Sequence, residues 1–184
     1  PSAIAPETAA FNAALHDTLS QMPLPYDLPV GTVRQARADG RGIFPLGGPL
    51  EEARWEETAG PAGPVALRVT DPPGPVRGVY LHIHGGGWTF NAPDQYDRQN
   101  RRLAAATGAR VVAVRYRLAP EHPWPAQIED CLAAARGVLG RAEGPVVIGG
   151  ESAGAHLAAA VLVALAAEGA LGPVRGAVLT YGMY

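Results

Sequence analysis

A serine flanked by glycines joins two apolar runs that favour different secondary structures, and this junction constrains the fold more than any other feature. Residues 150–154 read Gly-Glu-Ser-Ala-Gly, with the serine at Ser152. Residues 145–149 are typical of a buried strand, and the apolar residues from Ala153 onward are typical of a long helix. A sharp strand-to-helix turn strains the backbone at its central residue and needs small neighbours. The junction therefore predicts a nucleophile elbow that holds the Ser152 hydroxyl out at the carboxyl end of a sheet.

A glycine-rich loop follows another apolar strand, earlier in the chain. The sequence reads HGGG from His84, at the end of a strand predicted at residues 77–84. Consecutive glycines let backbone N–H groups face a reacting carbonyl without Cβ atoms in the way. Gly86 and Gly87, together with the first helical N–H at Ala153, are therefore the candidate donors of an oxyanion hole.

The order of the remaining elements favours a mixed α/β fold. Two early strands joined by a short Gly-Pro loop predict a hairpin, whereas strands separated by helices predict a parallel sheet with right-handed crossovers. Strands are predicted at residues 54–58, 65–70, 77–84, 110–116, 145–149 and 174–181, and helices at residues 7–20, 32–39, 94–107, 126–139 and 153–168. The last of these helices is apolar on every side, which is typical of an interior helix packed on the sheet.

A third stretch, YRLAPEHPWPA at residues 116–126, completes a resemblance to a known family. With the HGGG loop and the GESAG elbow it resembles the hormone-sensitive-lipase-like branch of the α/β-hydrolases, the bacterial family IV carboxylesterases. The elbow carries Glu151 where that family more often has aspartate, and Arg115 stands where it often has a small or acidic residue. The resemblance implies an α/β-hydrolase fold, a mostly parallel sheet flanked by helices.

The resemblance also divides the chain. Residues 1–52 correspond to an N-terminal cap segment that lines an acyl pocket, with a mobile tail as the alternative, and residues 53–184 correspond to the N-terminal part of the catalytic domain. It implies a serine carboxylesterase acting on short- to medium-chain acyl esters through an acyl-enzyme, with no metal and no cofactor. A non-catalytic ligand-binding protein on the same scaffold and an aryl formamide amidase remain alternatives.

The acid and base that such a serine needs are not apparent in these residues. In α/β-hydrolases an aspartate or glutamate and then a histidine follow the serine. After Ser152 the candidates are His156 and Glu168, in the opposite order and on the elbow's own helix. We therefore expect a longer hydrolase whose C-terminal half supplies both groups, because the apolar strand at residues 174–181 would otherwise form an exposed sheet edge. A degenerate or partner-completed protein is the alternative, and a homo-oligomer stays open.

The sequence also indicates a role for several residues near these motifs. We expect His84 to brace the glycine loop, His156 to be structural and Glu151 to be a buried partner of an arginine or a backbone donor. Trp88 should pack beside the loop or line the pocket. Asp94, Tyr96 and Asp97 are expected to be caps and surface contacts at the start of a helix.

Composition excludes several other classes. The net charge is −2 and all 15 basic residues are arginine, so neither nucleic acid nor a lysine-dependent phosphate loop is favoured, and no G-x-G-x-x-G motif occurs. No apolar run has the length of a membrane span and the start lacks signal-peptide features, so the expected compartment is the cytoplasm. The single cysteine, Cys131, is expected in the core. His82 and His84 could pair on a metal, but no third ligand is apparent.

Overall fold

The computed structural model describes residues 4–41 and 47–184, which form two compact units. Parts of the predicted cap segment, residues 1–3 and 42–46, lie outside the described residues. The first unit contains helix α1 (Pro6–Ser20), a 3-10 turn (Pro25–Asp27) and helix α2 (Val30–Ala38). The predicted helix at residues 7–20 is confirmed, and the one predicted at 32–39 begins two residues earlier than expected.

The second unit is built on a six-stranded mixed sheet. Its strands are β1 (Arg54–Thr58), β2 (Val65–Thr70), β3 (Gly78–Ile83), β4 (Ala109–Arg115), β5 (Val146–Glu151) and β6 (Val174–Thr180). They lie in the order β1-β2-β4-β3-β5-β6. The hairpin of β1 and β2 is antiparallel, and β4, β3, β5 and β6 run parallel to one another, as the sequence predicts.

Three helices cover the sheet on both faces. They are α3 (Asp97–Thr107), preceded by a 3-10 turn at Pro93–Tyr96, α4 (Ala126–Leu139) and α5 (Ala153–Ala167). Because successive strand residues point to opposite faces, Leu81 packs in the core with α4 and α5, whereas its neighbour Tyr80 packs with Ala104 of α3. Both faces of the central strands are therefore buried, as an α/β fold requires.

Helix α5 is buried on one side only. Leu157, Val161 and Leu165 are fully buried against the sheet, but Val163 on the outer side is 71% exposed. The expectation of an interior helix thus holds for its inner face and is wrong for its outer one. Cys131 of α4 lies in the hydrophobic core, and its burial raises the pKa of its thiol. In the two described ranges, no helix is long and apolar enough to cross a membrane.

Candidate active site

The turn between β5 and α5 holds Ser152 in a strained conformation. Its φ is 53° and its ψ is −122°, a region that residues with a side chain rarely occupy. The Ser152 N–H donates to the Thr180 carbonyl of β6 at 2.9 Å, and its carbonyl accepts from the His156 N–H at 3.1 Å. Ser152 itself is exposed. The backbone of the serine is therefore fixed while the residue remains open to solvent.

Because the two glycines of the elbow have no side chain, the backbone at the end of β3 can pack directly against them. A Cβ atom at Gly150 or at Gly154 would collide with the carbonyl oxygen of Ile83, and one at Gly154 would also lie 2.7 Å from the His84 carbonyl oxygen. Neither contact could be relieved by moving a side chain, because the atoms in the way belong to the backbone. The elbow and the start of the glycine loop are thus packed backbone to backbone.

The glycine loop continues along the serine. A Cβ atom at Gly85 would lie 2.7 Å from the Glu151 carbonyl oxygen and 3.3 Å from the Ser152 Cβ. Gly86 and Gly87 follow with φ of 126° and 59°. Within residues 4–41 and 47–184, no acceptor is hydrogen-bonded to the N–H of Gly86 or Gly87. Ala153 begins α5, where N–H groups of the first turn lack an acceptor in the helix.

Glu151 joins the elbow to the end of β3. Its Oε1 accepts from the Gly85 N–H at 2.7 Å, and its Oε2 lies 2.9 Å from Nε2 of His82. Burial raises the pKa of Glu151, but the hydrogen bonds from His82 and Gly85 outweigh it and bring the pKa below its ordinary value. The expected backbone donor is confirmed. Of the two partners expected for Glu151, the described residues supply the backbone donor and not the arginine, and His82 is a further side-chain partner.

His84 braces the loop, as the sequence predicts. Its Nδ1 lies 2.9 Å from the Gly85 carbonyl oxygen, which can only accept, so Nδ1 carries the proton. The Tyr116 hydroxyl donates to the His84 carbonyl at 2.8 Å, and the two rings stack at 4.4 Å. Burial lowers the pKa of His84 to about 4, so its imidazole is neutral at pH 7. Within the described ranges, no three His, Cys, Asp or Glu side chains are placed together as a metal site would require.

His156 is held by aromatic rings. It meets the edge of Trp88 at 5.4 Å between ring centroids and lies 6.5 Å from Trp124. In the described part of the chain its Nδ1 is buried without a hydrogen-bond partner, whereas a general base needs a partner that orients its ring. Glu168, at the far end of α5, is paired with Arg136 at 2.6 Å. The geometry agrees with a structural role for His156.

Two of the residues expected at the surface are buried. Asp97 is 0% exposed, and its Oδ2 accepts from Arg68 at 2.6 Å and from the Leu50 N–H at 2.8 Å. Tyr96 is 6% exposed and meets the His82 ring at 5.2 Å. The expected surface roles of Tyr96 and Asp97 are therefore wrong. The sequence does contain a sign that Asp97 is buried. Arg68 lies within an apolar strand, and a buried arginine requires a buried acid as its partner.

Asn91 was not predicted to belong to the site. Its Nδ2 donates to the Gly85 carbonyl and to the Tyr96 hydroxyl, at 3.1 Å in each case. Its φ is 72°, in the left-handed region that asparagine tolerates better than most residues. The side chain folds back onto the glycine loop from the turn that follows it.

A family profile described as an α/β hydrolase fold matches residues 80–184. The chain belongs to the α/β-hydrolase family. The matched region contains most of β3, the glycine loop, the elbow and strands β4 to β6. The match confirms both the expected fold and the resemblance to the hormone-sensitive-lipase-like branch.

Similar proteins carry esterase names. Esterase LipI of Mycobacterium tuberculosis is 43% identical over 112 residues, which are 55% of this chain and 35% of that protein. Carboxylesterase NlhH of the same species is 42% identical over 122 residues, covering 60% of this chain and 38% of that protein. The matched segments are thus well under two thirds of those relatives.

Solved esterase structures match most of this α/β-hydrolase chain. A hyperthermophilic esterase from Pyrobaculum calidifontis matches with a TM-score of 0.82 and 30% identity, over 98% of this chain and 59% of that one. The thermophilic carboxylesterase EstE1, cloned from a metagenomic library, matches with a TM-score of 0.75 and 31% identity, over 86% and 57% respectively. The chain therefore spans about three fifths of these structures.

Proposed function

We propose that this α/β-hydrolase chain carries the nucleophile and the oxyanion hole of a serine carboxylesterase. The observation that supports the proposal best is the strained Ser152 beside a glycine loop in which the N–H groups of Gly86 and Gly87 have no acceptor among the described residues. Strain of this kind persists only where the surrounding structure enforces it, and it concentrates at active sites. The esterase names of the relatives point to the same chemistry.

In the proposed reaction, the Ser152 Oγ attacks the ester carbonyl and the resulting oxyanion accepts hydrogen bonds from the N–H groups of Gly86, Gly87 and Ala153. The amino end of α5 adds a positive dipole at the same point. Collapse of the tetrahedral intermediate expels the alcohol and leaves an acyl-enzyme, which water hydrolyses. The sequence of steps uses no metal and no cofactor.

The proton relay requires a histidine and an acid, and we place both outside residues 1–184. The chain spans 59% of the Pyrobaculum esterase, so a protein of similar length has room for them. The exposed apolar residues of β6, the strand next to the elbow, offer a surface on which such a segment would pack. The full-length protein below means this chain with that segment.

We further propose short- to medium-chain acyl esters as substrates and residues 1–52 as the cap segment that lines the acyl pocket. These two statements extend the family resemblance. A series of p-nitrophenyl esters from acetate to laurate, assayed with the full-length protein, measures the acyl preference. A maximum at acetate to octanoate supports the proposal, and a maximum at laurate contradicts it.

The test of the mechanism compares the full-length protein with its Ser152→Ala variant on p-nitrophenyl butyrate. We expect kcat to fall by about 10⁴-fold or more, since loss of the nucleophile removes the covalent route. Ser20→Ala is the matched control, because Ser20 is an exposed residue at the end of α1. Full activity in Ser152→Ala would refute the proposed nucleophile, and a folded but inactive wild type would favour the ligand-binding alternative.

A further inference from the structure

The oxyanion hole is assembled from two chain segments that must stay in a fixed relation. Ser152 and Ala153 belong to the turn after β5, whereas Gly86 and Gly87 follow β3. Backbone packing at Gly150 and Gly154 brings the segments together but leaves open which way the loop N–H groups point. Glycine accepts many backbone orientations, so a run of three glycines cannot fix that direction by itself.

The peptide group between Gly85 and Gly86 decides where the Gly86 N–H points. This bond is trans, because every cis peptide bond within residues 4–41 and 47–184 precedes a proline. In a planar trans peptide the C=O and the N–H point in opposite directions. Whatever holds the Gly85 carbonyl therefore aims the Gly86 N–H the opposite way.

The Gly85 carbonyl is held by two side chains. Asn91 Nδ2 donates to it at 3.1 Å, and His84 Nδ1 donates to it at 2.9 Å. The asparagine comes from the turn after the loop and the histidine from the residue before it. The carbonyl is therefore fixed from both sides of the chain.

The Gly85 N–H is held by Glu151, which precedes the nucleophile. Glu151 Oε1 accepts from it at 2.7 Å, and Oε2 is anchored on the His82 ring at 2.9 Å. His82 is 5% exposed and is itself packed against Tyr80 and Tyr96, at 6.0 and 5.2 Å between ring centroids. Glu151 thus ties the loop to the elbow at the residue next to Ser152.

We infer that Glu151 and Asn91 are positioning residues that aim the Gly86 N–H at the oxyanion. His82 anchors Glu151, and His84 shares the Gly85 carbonyl with Asn91. Both ends of Gly85 are held by side chains, and the adjoining Gly86 N–H is left without an acceptor in the described part of the chain. The inference rests on the proposed esterase function. Glu151 and Asn91 would then help to stabilise the transition state without contacting the substrate, because they act through the peptide group between Gly85 and Gly86.

The experiment measures kcat and KM of the full-length protein and three variants on p-nitrophenyl butyrate. Glu151→Ala removes the acceptor, and Asn91→Gly removes the donor while suiting the left-handed φ of 72°. We expect each to lower kcat by about 10-fold or more with KM changed less than about twofold, because an oxyanion donor acts mainly in the transition state. Glu151→Gln keeps an oxygen for the Gly85 N–H and should restore most of kcat.

Inhibition by a short-chain alkyl trifluoromethyl ketone provides a second readout. Its adduct with the serine carries an oxyanion. In Glu151→Ala and in Asn91→Gly, Ki should therefore rise by the same factor by which kcat/KM falls. Asp130→Asn is the matched control, because Asp130 is also a buried carboxylate that accepts from a main-chain N–H and a side chain, both of Arg117, at 2.9 and 2.8 Å. It should lower stability and leave kcat and Ki within about twofold.

The outcomes separate this inference from the proposed function. If the wild type depends on Ser152 but Glu151→Ala and Asn91→Gly keep kcat and Ki within about twofold, the positioning role is wrong and the esterase proposal stands. If Glu151→Ala does not fold, Asn91→Gly and Glu151→Gln carry the test. Changes in KM alone, or losses matched by Asp130→Asn, would also contradict the inference. Full activity in Ser152→Ala would instead refute the proposed function.

Discussion

The two edges of the sheet are built in opposite ways. On β1, Arg54 forms ion pairs with Glu56, at 2.9 Å, and with Asp71. The ring of Trp55 lies beneath the guanidinium groups of Arg68 and Arg115, which are 5.1 and 5.4 Å from its centre. Charged residues on an edge strand discourage pairing with another strand. The β1 edge is therefore suited to contact with water.

The β6 edge is less protected, because its single charged residue is Arg175, whose guanidinium donates to the nearby Gly172 and Val174 carbonyls. Val178 is 49% exposed and Leu179 is 39% exposed, and within the described ranges no ion pair involves the strand. Thr180 of the same strand accepts the hydrogen bond from the Ser152 N–H. The less protected edge is thus the one whose strand hydrogen-bonds the nucleophile, so the segment proposed above to cover β6 would also affect the elbow.

The largest expected effect comes from testing residues 1–184 without the segment proposed to cover β6. Because no histidine side chain within residues 4–41 and 47–184 is hydrogen-bonded to the Ser152 hydroxyl, kcat on p-nitrophenyl butyrate should be about 10⁴- to 10⁶-fold below that of the full-length protein. Adding the remaining segment as a separate chain should recover activity. Equal rates for the two proteins would break the comparison and would make His156 the base.

A charge placed on each edge of the full-length protein tests which edge meets water. Val178→Arg on β6 should lower the free energy of unfolding by about 3 kcal/mol or more, because it would bury an unpaired charge beneath the added segment. Glu57→Arg on β1 should change it by less than about 0.5 kcal/mol. Urea unfolding measures both. A mild effect at Val178 would mean that β6 is a solvent edge in the full-length protein as well.

Acid should weaken the bracing of the glycine loop by His84 before it weakens the β1 edge. Burial lowers the pKa of His84 to about 4, so between pH 6.5 and pH 4 the unfolded chain takes up a proton that the folded one refuses, and stability falls as the pH falls. Burial raises the pKa of Asp71, but Arg110 and Arg54 outweigh it and lower the pKa below its ordinary 3.8, so its contribution is lost only in stronger acid.

Urea titrations at pH 7, 6 and 5 measure this window. The free energy of unfolding should fall by up to about 1.4 kcal/mol per pH unit, the value for one proton. His84→Gln should flatten the dependence and Asp71→Asn should leave it unchanged. A dependence that survives His84→Gln would assign the acid sensitivity to another group.

The smallest expected effect is the loss of the β1 ion pairs. Arg54→Ala removes contacts that lie in solvent, and such pairs contribute about 0 to 1 kcal/mol each. The loss should shrink further in 1 M salt. Thermal unfolding at low and high salt measures it, and a loss that does not depend on salt would point to packing of the arginine stem instead of charge.

The sequence was sufficient for the elements and for the elbow, because both depend on local patterns. The strands at residues 54–58 and 65–70 and the helix at 126–139 coincide with β1, β2 and α4, and glycine or proline lies close to the ends of these segments. The turn at Ser152 follows from the glycines that any backbone needs there.

Side-chain partners could not be predicted, because they depend on strand order and register. β2 lies next to β4 and not next to β3, and Arg115 of β4 lies over the Trp55 ring of β1. Likewise β3 and β5 pair so that His82 lies opposite Gly149, within reach of Glu151. No local pattern records these non-local contacts.

Covalent labelling of the full-length protein by a fluorophosphonate tests the central claim most directly. The reagent reacts with a serine that is both activated and placed beside an oxyanion hole, so we expect one adduct per chain, on the peptide that contains Ser152, and loss of ester hydrolysis in proportion to labelling. Protein unfolded in urea should not react. An adduct on another residue, or hydrolysis that persists after Ser152 is fully labelled, would contradict the account.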